Sequence, residues 1–384
     1  MIYPLKGKIK HYSWGGYDFI PQLLGIPNRS KKPFAELWLG SHSEHSSEIH
    51  TPGGIVSLRQ FLFNHGLSEL SFMAKFLDVR SMLSVQAHPD TLQAKEGFER
   101  EERLKIPVDA PERLYHDPNP KPEIMVALSP FYLLSGFKDD DSIFHALKSV
   151  PEFKPLLPHY MNNKLKGFYT LLMQLPQPEV NRILKPLGQR IKPLYLEGNL
   201  SKDSTDYWAA KAFTLFNRKG FCDRGIFSIF LMNLIKLEAG QAIFQTPGTL
   251  HAYLEGINLE CMKCSDNTLR GGLTEKHIDI AELIRALHFK TGIPPVIREK
   301  AVNQFESEYP VAVTDFQIRV IRPLANTIEI MAKGRPEIWA VLKGSLYIQD
   351  HNRTFNSGDF FFVFSTKSFK IKSLEKESHI FRIY

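Results

Sequence analysis

Three short segments carry residues able to do chemistry together. In Ser84-Val85-Gln86-Ala87-His88-Pro89-Asp90, residues i, i+2 and i+4 of an extended strand point to one face, so Ser84, Gln86 and His88 share it. Leu83, Val85 and Ala87 take the other face, and Pro89 ends the pairing. In Asn119-Pro120-Lys121-Pro122-Glu123, Lys121 and Glu123 have equal parity at the start of an apolar strand, Glu123 to Leu128. An inward carboxylate there needs a cation or strong hydrogen bonds. Pro247-Gly248-Thr249-Leu250-His251 sets an imidazole just after a tight turn, with Tyr253 on the same face. Gln86, His88, Glu123 and His251 would form a mixed nitrogen and oxygen metal site. Zinc is its natural occupant, and iron, manganese and cobalt tolerate such ligands.

Taken together, SVQAHPD, NPKPEI and TPGTLHAYLEGINLECMKCSDNTLRGGLTEKHID resemble the type I mannose-6-phosphate isomerases. So do His11-Tyr12-Ser13-Trp14-Gly15 and the stretch from Pro33 to Gly40. The resemblance covers most of the chain and is weakest from Asp139 to Arg218 and toward the C-terminus. It implies a cupin (jelly-roll) fold, one zinc ion on the same four residues, and interconversion of mannose 6-phosphate and fructose 6-phosphate through a cis-enediol. Arg270 matches the family's catalytic arginine, a fixed cation for an enediolate. Glu260, which shares a strand face with Asn258 and Met262, is the expected proton-transfer base, and Lys121 is the second choice. Lys75, Ser84 and Lys276 are phosphate-binding candidates by similarity, and Tyr253 a further substrate contact.

The chain departs from the family pattern at two places. Pro120 stands where a histidine is usual, which leaves no imidazole there for proton transfer unless His116 substitutes. Lys263 and Cys264 replace small or amide residues before Ser265-Asp266-Asn267. Cys261 and Cys264, three apart on a strand, face opposite ways and make a poor thiol pair.

The elements that must hold these residues fall into three textures. Up to Phe137 the chain is rich in Gly, Pro and aromatics; Phe34–Gly40 and Met82–His88 read as strands, and Leu58–Phe63 and Thr91–Arg103 as helical. From Asp139 to about Arg218 the period is helical, starting at an Asp-rich cap before Ile143. After Phe221 strand texture returns. Glu337–Gly344 and Ser345–Gln349 read as strands joined at a glycine turn, and Phe360–Phe364 as another. The expected fold is therefore mainly β with a helical insert. Residues 1–137 and 219–300 form the catalytic cupin domain, 138–218 an all-α domain, and 301–384 a second cupin-like barrel, structural and without a metal.

Bulk composition suits a globular protein of several units. The 384 residues are 43% hydrophobic and 23% charged, with a formal charge of +7. No basic block is dense enough for nucleic acid or a membrane surface. The most apolar run, Gly225 to Leu237, falls short of the ~20 residues of a membrane span. The N-terminus lacks the apolar core of a secretory signal. Three cysteines fit a reducing compartment. A cytoplasmic monomer whose partner is a small sugar phosphate is expected. The competing classes are a metal-dependent cupin oxygenase and a non-catalytic sugar-phosphate-binding cupin.

Overall fold

A computed structural model describes residues 1–218, 220–323 and 327–384. Position 219, where the second catalytic segment is expected to begin, lies outside the described residues, as do 324–326 within the expected C-terminal unit. The architecture is mainly β with several helices: two large sheets of nine and ten strands, a four-stranded sheet, and a run of helices inserted in sequence between two strands of the ten-stranded sheet, Phe131–Phe137 and Met232–Leu237.

The ten-stranded sheet holds all three chemistry-bearing segments. Its organising element is the long strand His251–Lys263, which pairs first with Phe131–Phe137 and then with Phe72–Val79 and Glu123–Ala127. Val85–Ala87 sits beside the His251 end, with Leu269–Gly272 on its other flank. The strand expected over Met82–His88 is shorter, Val85–Ala87. It stops because Asp90 caps the helix Thr91–Arg103: its side chain accepts from the Gln93 amide and Gln93 answers on the Asp90 amide, a capping box.

Apolar layers lie beneath this sheet. Leu77, Val79, Met125, Ala127, Phe131 and Leu133 are buried together with Tyr253. The helices Asp140–Ser149, Leu157–Gln174, Gln177–Leu196 and Thr205–Phe216 bury Phe168, Tyr169, Leu184 and Trp208 in one cluster with Val85, Ala87 and Ala252. The helical elements are thus cemented to the strands that carry the site.

Two expectations need correcting. Strand texture does not return directly after Phe221, because Gly225–Leu231 is a helix and the strand begins at Met232. All seven residues of that helix are buried, so it lacks an amphipathic period, and an apolar run alone does not separate a buried helix from a strand. Glu337–Lys343 and Ser345–Ile348 are strands on either side of Gly344, but they belong to different sheets. Gly344 has φ +86, and a Cβ there would collide with Ser378 Oγ; the glycine is a corner between sheets rather than a hairpin tip.

The N-terminal strand Ile2–Lys6 pairs with Phe360–Val363 and with Glu48–Thr51, so residues expected in the first unit complete the C-terminal sheet. A buried ion network closes that end. Arg382, 1% exposed, donates to Glu337 at 2.7 and 2.8 Å and lies 3.3 Å from Glu306. Removing one partner of a buried pair strands the other charges. Arg382→Ala is expected to destabilise the fold by about 3–5 kcal/mol, read by denaturant unfolding.

Candidate metal centre and active site

His88 Nε2 lies 3.3 Å from Glu123 Oε1, and His251 Nε2 lies 3.5 Å from Glu123 Oε2. One ligand atom from each of these three buried residues falls within 4.8 Å of the others. Gln86 completes the group, its amide nitrogen 3.4 Å from His251 Nε2. A half-turn of that amide exchanges nitrogen for oxygen, which offers the fourth ligand atom anticipated from the sequence.

The outer contacts dictate which atoms remain free. His88 Nδ1 is 2.7 Å from the Asn267 carbonyl and His251 Nδ1 is 3.0 Å from the Thr249 carbonyl. Each ring therefore spends its N–H on backbone and turns a bare Nε2 inward. Burial and the nearby Lys121 push the His88 imidazole down to about 4, so it is neutral at pH 7. Among the described residues, His88 Nε2 and Glu123 Oε2 are buried with no hydrogen-bond partner. A buried carboxylate oxygen and a bare imidazole nitrogen facing each other are costly, and a divalent cation resolves both at once. The residues fit a metal ion.

Charge around the cluster is tightly paired. Lys121 Nζ lies 3.1 Å from Glu123 Oε1, as their equal parity requires. Burial works against ionising Glu123, but Lys121 and the two histidines outweigh it and hold the carboxyl well below its usual range. Glu260 accepts from the Tyr253 hydroxyl at 2.9 Å, and its other oxygen is 3.5 Å from Lys75 Nζ. Burial and the Glu123 charge raise the Glu260 carboxyl, making it a stronger base than an exposed glutamate. The Tyr253 phenol is pushed far up by burial and by Glu260, so it stays protonated and donates.

The remaining expected residues lie on neighbouring strands and loops. Lys75 is only 7% exposed; it sits 4.7 Å from the Trp38 ring centroid, and Trp38 Nε1 donates to Glu36. Burial opposes its charge, yet Glu36, Glu260 and Glu123 outweigh that and raise it. Ser84 Oγ donates to Gln86 Oε1 at 3.4 Å. Arg270 faces Gln86 across the strand pair and donates to the Thr268 carbonyl at 3.4 Å. Lys276 is exposed as a residue, but partial desolvation of its ammonium together with the Arg270 charge lowers its affinity for a proton. The His116 amide is bonded to Asn267 Oδ1 at 2.7 Å, and Pro120 is half-buried.

Several contributors escape a reading of the sequence. Asn267 bonds the carbonyls of Asp117 and Asn119 through its side chain while its own carbonyl orients His88. Asp117 accepts from Ser265 Oγ and the Asp266 amide, both at 3.0 Å. Asp266 pairs with His42 at 2.9 Å; burial opposes its charge, but His42 outweighs it and holds the carboxyl below its usual range. The one sequence signal was the run Ser265-Asp266-Asn267, whose side chains favour backbone bonding in loops. Asn267→Ala is expected to weaken metal binding by about 10–100-fold, measured by chelator competition, because the side-chain bonds that hold the residue 267 carbonyl against the His88 ring are lost.

A family model described as phosphomannose isomerase type I, catalytic domain, matches residues 2–140. The mannose-6-phosphate isomerase of Escherichia coli (strain K12) is 33% identical over 329 residues, covering 81% of each chain. That of Rattus norvegicus is 33% identical over 323 residues, covering 75% of this chain and 73% of the relative. A crystal structure of mannose 6-phosphate isomerase from Salmonella typhimurium, bound to its substrate fructose 6-phosphate and to zinc, superposes with TM-score 0.89 at 27% identity, covering 100% of this chain and 99% of that one.

Proposed function

The chain belongs to the type I mannose-6-phosphate isomerase family, and from that premise we infer that it interconverts mannose 6-phosphate and fructose 6-phosphate as a zinc-dependent enzyme. The observation that carries this is the cluster of His88, Glu123 and His251 with two orphaned ligand atoms, set beside a buried base and two buried lysines. Gln86, His88, Glu123 and His251 hold the ion. Zinc supplies a Lewis acid for the sugar oxygens at C1 and C2.

Everything else in the reaction falls to the chain's own residues. Glu260 takes the proton from C2 of the open-chain aldose and returns it to C1 of the cis-enediol. Tyr253 and Lys75, both touching its carboxylate, hold that group in place, and the Lys75 charge favours its ionised form. Lys121 is the alternative carrier, but its 3.1 Å contact with Glu123 favours an electrostatic part instead. Arg270 stabilises the negative oxygen of the enediolate. Lys276 and Ser84 hold the phosphate, with the more deeply buried Lys75 as a second cation. With Pro120 in place of an imidazole, proton transfer on this chain runs without a group at that position.

The same reading extends to architecture and setting. The ten-stranded sheet corresponds to a cupin catalytic barrel, residues 138–218 to a helical unit, and the C-terminal strands to a second cupin-like barrel. A phosphorylated substrate places the enzyme in the cytoplasm, working as a monomer. Among the described residues no helix is long and apolar enough to cross a membrane. A cupin oxygenase and a mute sugar-phosphate binder are the competitors, and one experiment separates all three. Mannose 6-phosphate incubated with the zinc-loaded protein gives fructose 6-phosphate, followed by NMR, with no oxygen consumed. Binding without product, or product only with oxygen uptake, contradicts the isomerase reading.

A further inference from the structure

Tyr253 and Glu260 are bonded at 2.9 Å although seven residues separate them on one strand. On a regular strand that separation spans about 23 Å and puts the two side chains on opposite faces. Two irregularities make the contact. Between Tyr253 and Glu255 the long strand advances two residues against one of its neighbour, Tyr253 opposite Leu133 and Glu255 opposite Tyr132. That bulge exchanges the faces, so the odd-numbered set of His251 and Tyr253 joins the even-numbered set of Asn258 and Glu260. At Gly256 the chain turns to a new partner, Val79, with φ +136; a Cβ there would meet Phe131 Cδ2 at 2.5 Å.

The residue between bulge and turn is Glu255, and both its oxygens are held from the helical elements. Lys211, on the helix Thr205–Phe216, reaches one oxygen at 2.6 Å, and Lys202 pairs with the other. Lys211 Nζ also donates to the Arg80 carbonyl at 3.3 Å, just beyond the strand that Gly256 joins. Trp208 ties the two lysines together: its Nε1 donates to the Lys202 carbonyl at 2.7 Å, and Lys211 Nζ lies 5.2 Å from its ring centroid.

We propose that the Lys202–Glu255–Lys211 latch positions the catalytic base, by fixing the bulge that brings Tyr253 onto Glu260. None of the three residues belongs to the metal cluster or its contacts. They act through the strand, as positioning residues. The inference rests on the isomerase reading and on Glu260 as its base. The latch also forms a wall of a cavity of about 950 Å3 lined by Tyr132, Tyr207 and Gly256 among others. Shortening a lysine there borders existing space rather than opening the core.

The test is the double variant Lys202→Met/Lys211→Met, assayed as zinc-loaded enzyme with zinc content and thermal midpoint measured in parallel. The expected result is a kcat lowered about 10- to 100-fold, with KM for mannose 6-phosphate and bound zinc unchanged. Lys202→Arg, which keeps a cation on Glu255, holds kcat within about threefold of the parent. Should the double variant not fold, Lys202→Met alone, at the more exposed lysine, carries the same comparison. A folded, zinc-loaded variant with parental kcat overturns the proposal. So does a loss of kcat that merely follows loss of zinc or of folded protein. An inactive parent enzyme would instead strike the isomerase reading itself.

Discussion

Glu260→Gln is expected to lower kcat for mannose 6-phosphate by roughly 10³-fold, within the span of general-base contributions, while zinc content and KM stay near the parental values. The substitution keeps the shape of the side chain and its acceptor for the Tyr253 hydroxyl, 2.9 Å away. What it removes is the group that receives the C2 proton. Burial and the Glu123 charge raise the carboxyl above its ordinary value, and Lys75 at 3.5 Å limits the rise. The result is a stronger base than an exposed glutamate, with Lys75 opposing the rise. The checks are steady-state kinetics and metal analysis on one preparation. Full activity in the variant would move the role to Lys121.

Arg270→Ala is expected to cost about 10²–10³ in kcat with metal content intact, the size found when one fixed donor to a developing oxyanion is removed. Arg270 comes from Leu269–Gly272, paired to the strand that carries Gln86, so its guanidinium is set by sheet geometry. Among the described residues its guanidinium has one hydrogen bond, a long one to the Thr268 carbonyl at 3.4 Å. That leaves most of its donors for substrate. Burial lowers its affinity for a proton slightly, but a guanidinium stays charged throughout. Arg270→Lys recovers only part of the loss, because an ammonium lacks the planar fork. Unchanged turnover in Arg270→Ala would place the enediolate away from this side chain.

Much of the site was legible because strand parity is a strong rule over short distances. Gln86 with His88, Lys121 with Glu123, and His251 with Tyr253 are each two residues apart, and the structure brings these six together with Glu260. Parity fails over longer spans. His251 and Glu260 are nine apart and would face opposite ways on an unbroken strand; only the bulge before Glu255 puts them in one site. Gly256 was the visible hint, since a glycine inside a strand often marks such a break. The burial of Lys75 was not legible either, because its partners come from two other strands, Glu36 and Trp38 from one and Glu260 from the other.

At the level of the fold, the periodic helices Thr91–Arg103 and Thr205–Phe216 could be read from their amphipathic pattern and caps. Gly225–Leu231 could not, being apolar all round. The closure of the C-terminal sheet by Ile2–Lys6 was equally hidden, since nothing local records a pairing with a strand more than three hundred residues away.

The most direct measurement is fructose 6-phosphate production from mannose 6-phosphate before chelation, after it, and after zinc is restored. Turnover is expected to disappear with the metal and return with zinc, because His88 Nε2 and Glu123 Oε2 are buried without a partner among the described residues and a divalent cation satisfies both. Undiminished turnover in fully metal-free protein, or none in folded zinc-loaded protein, would contradict that expectation.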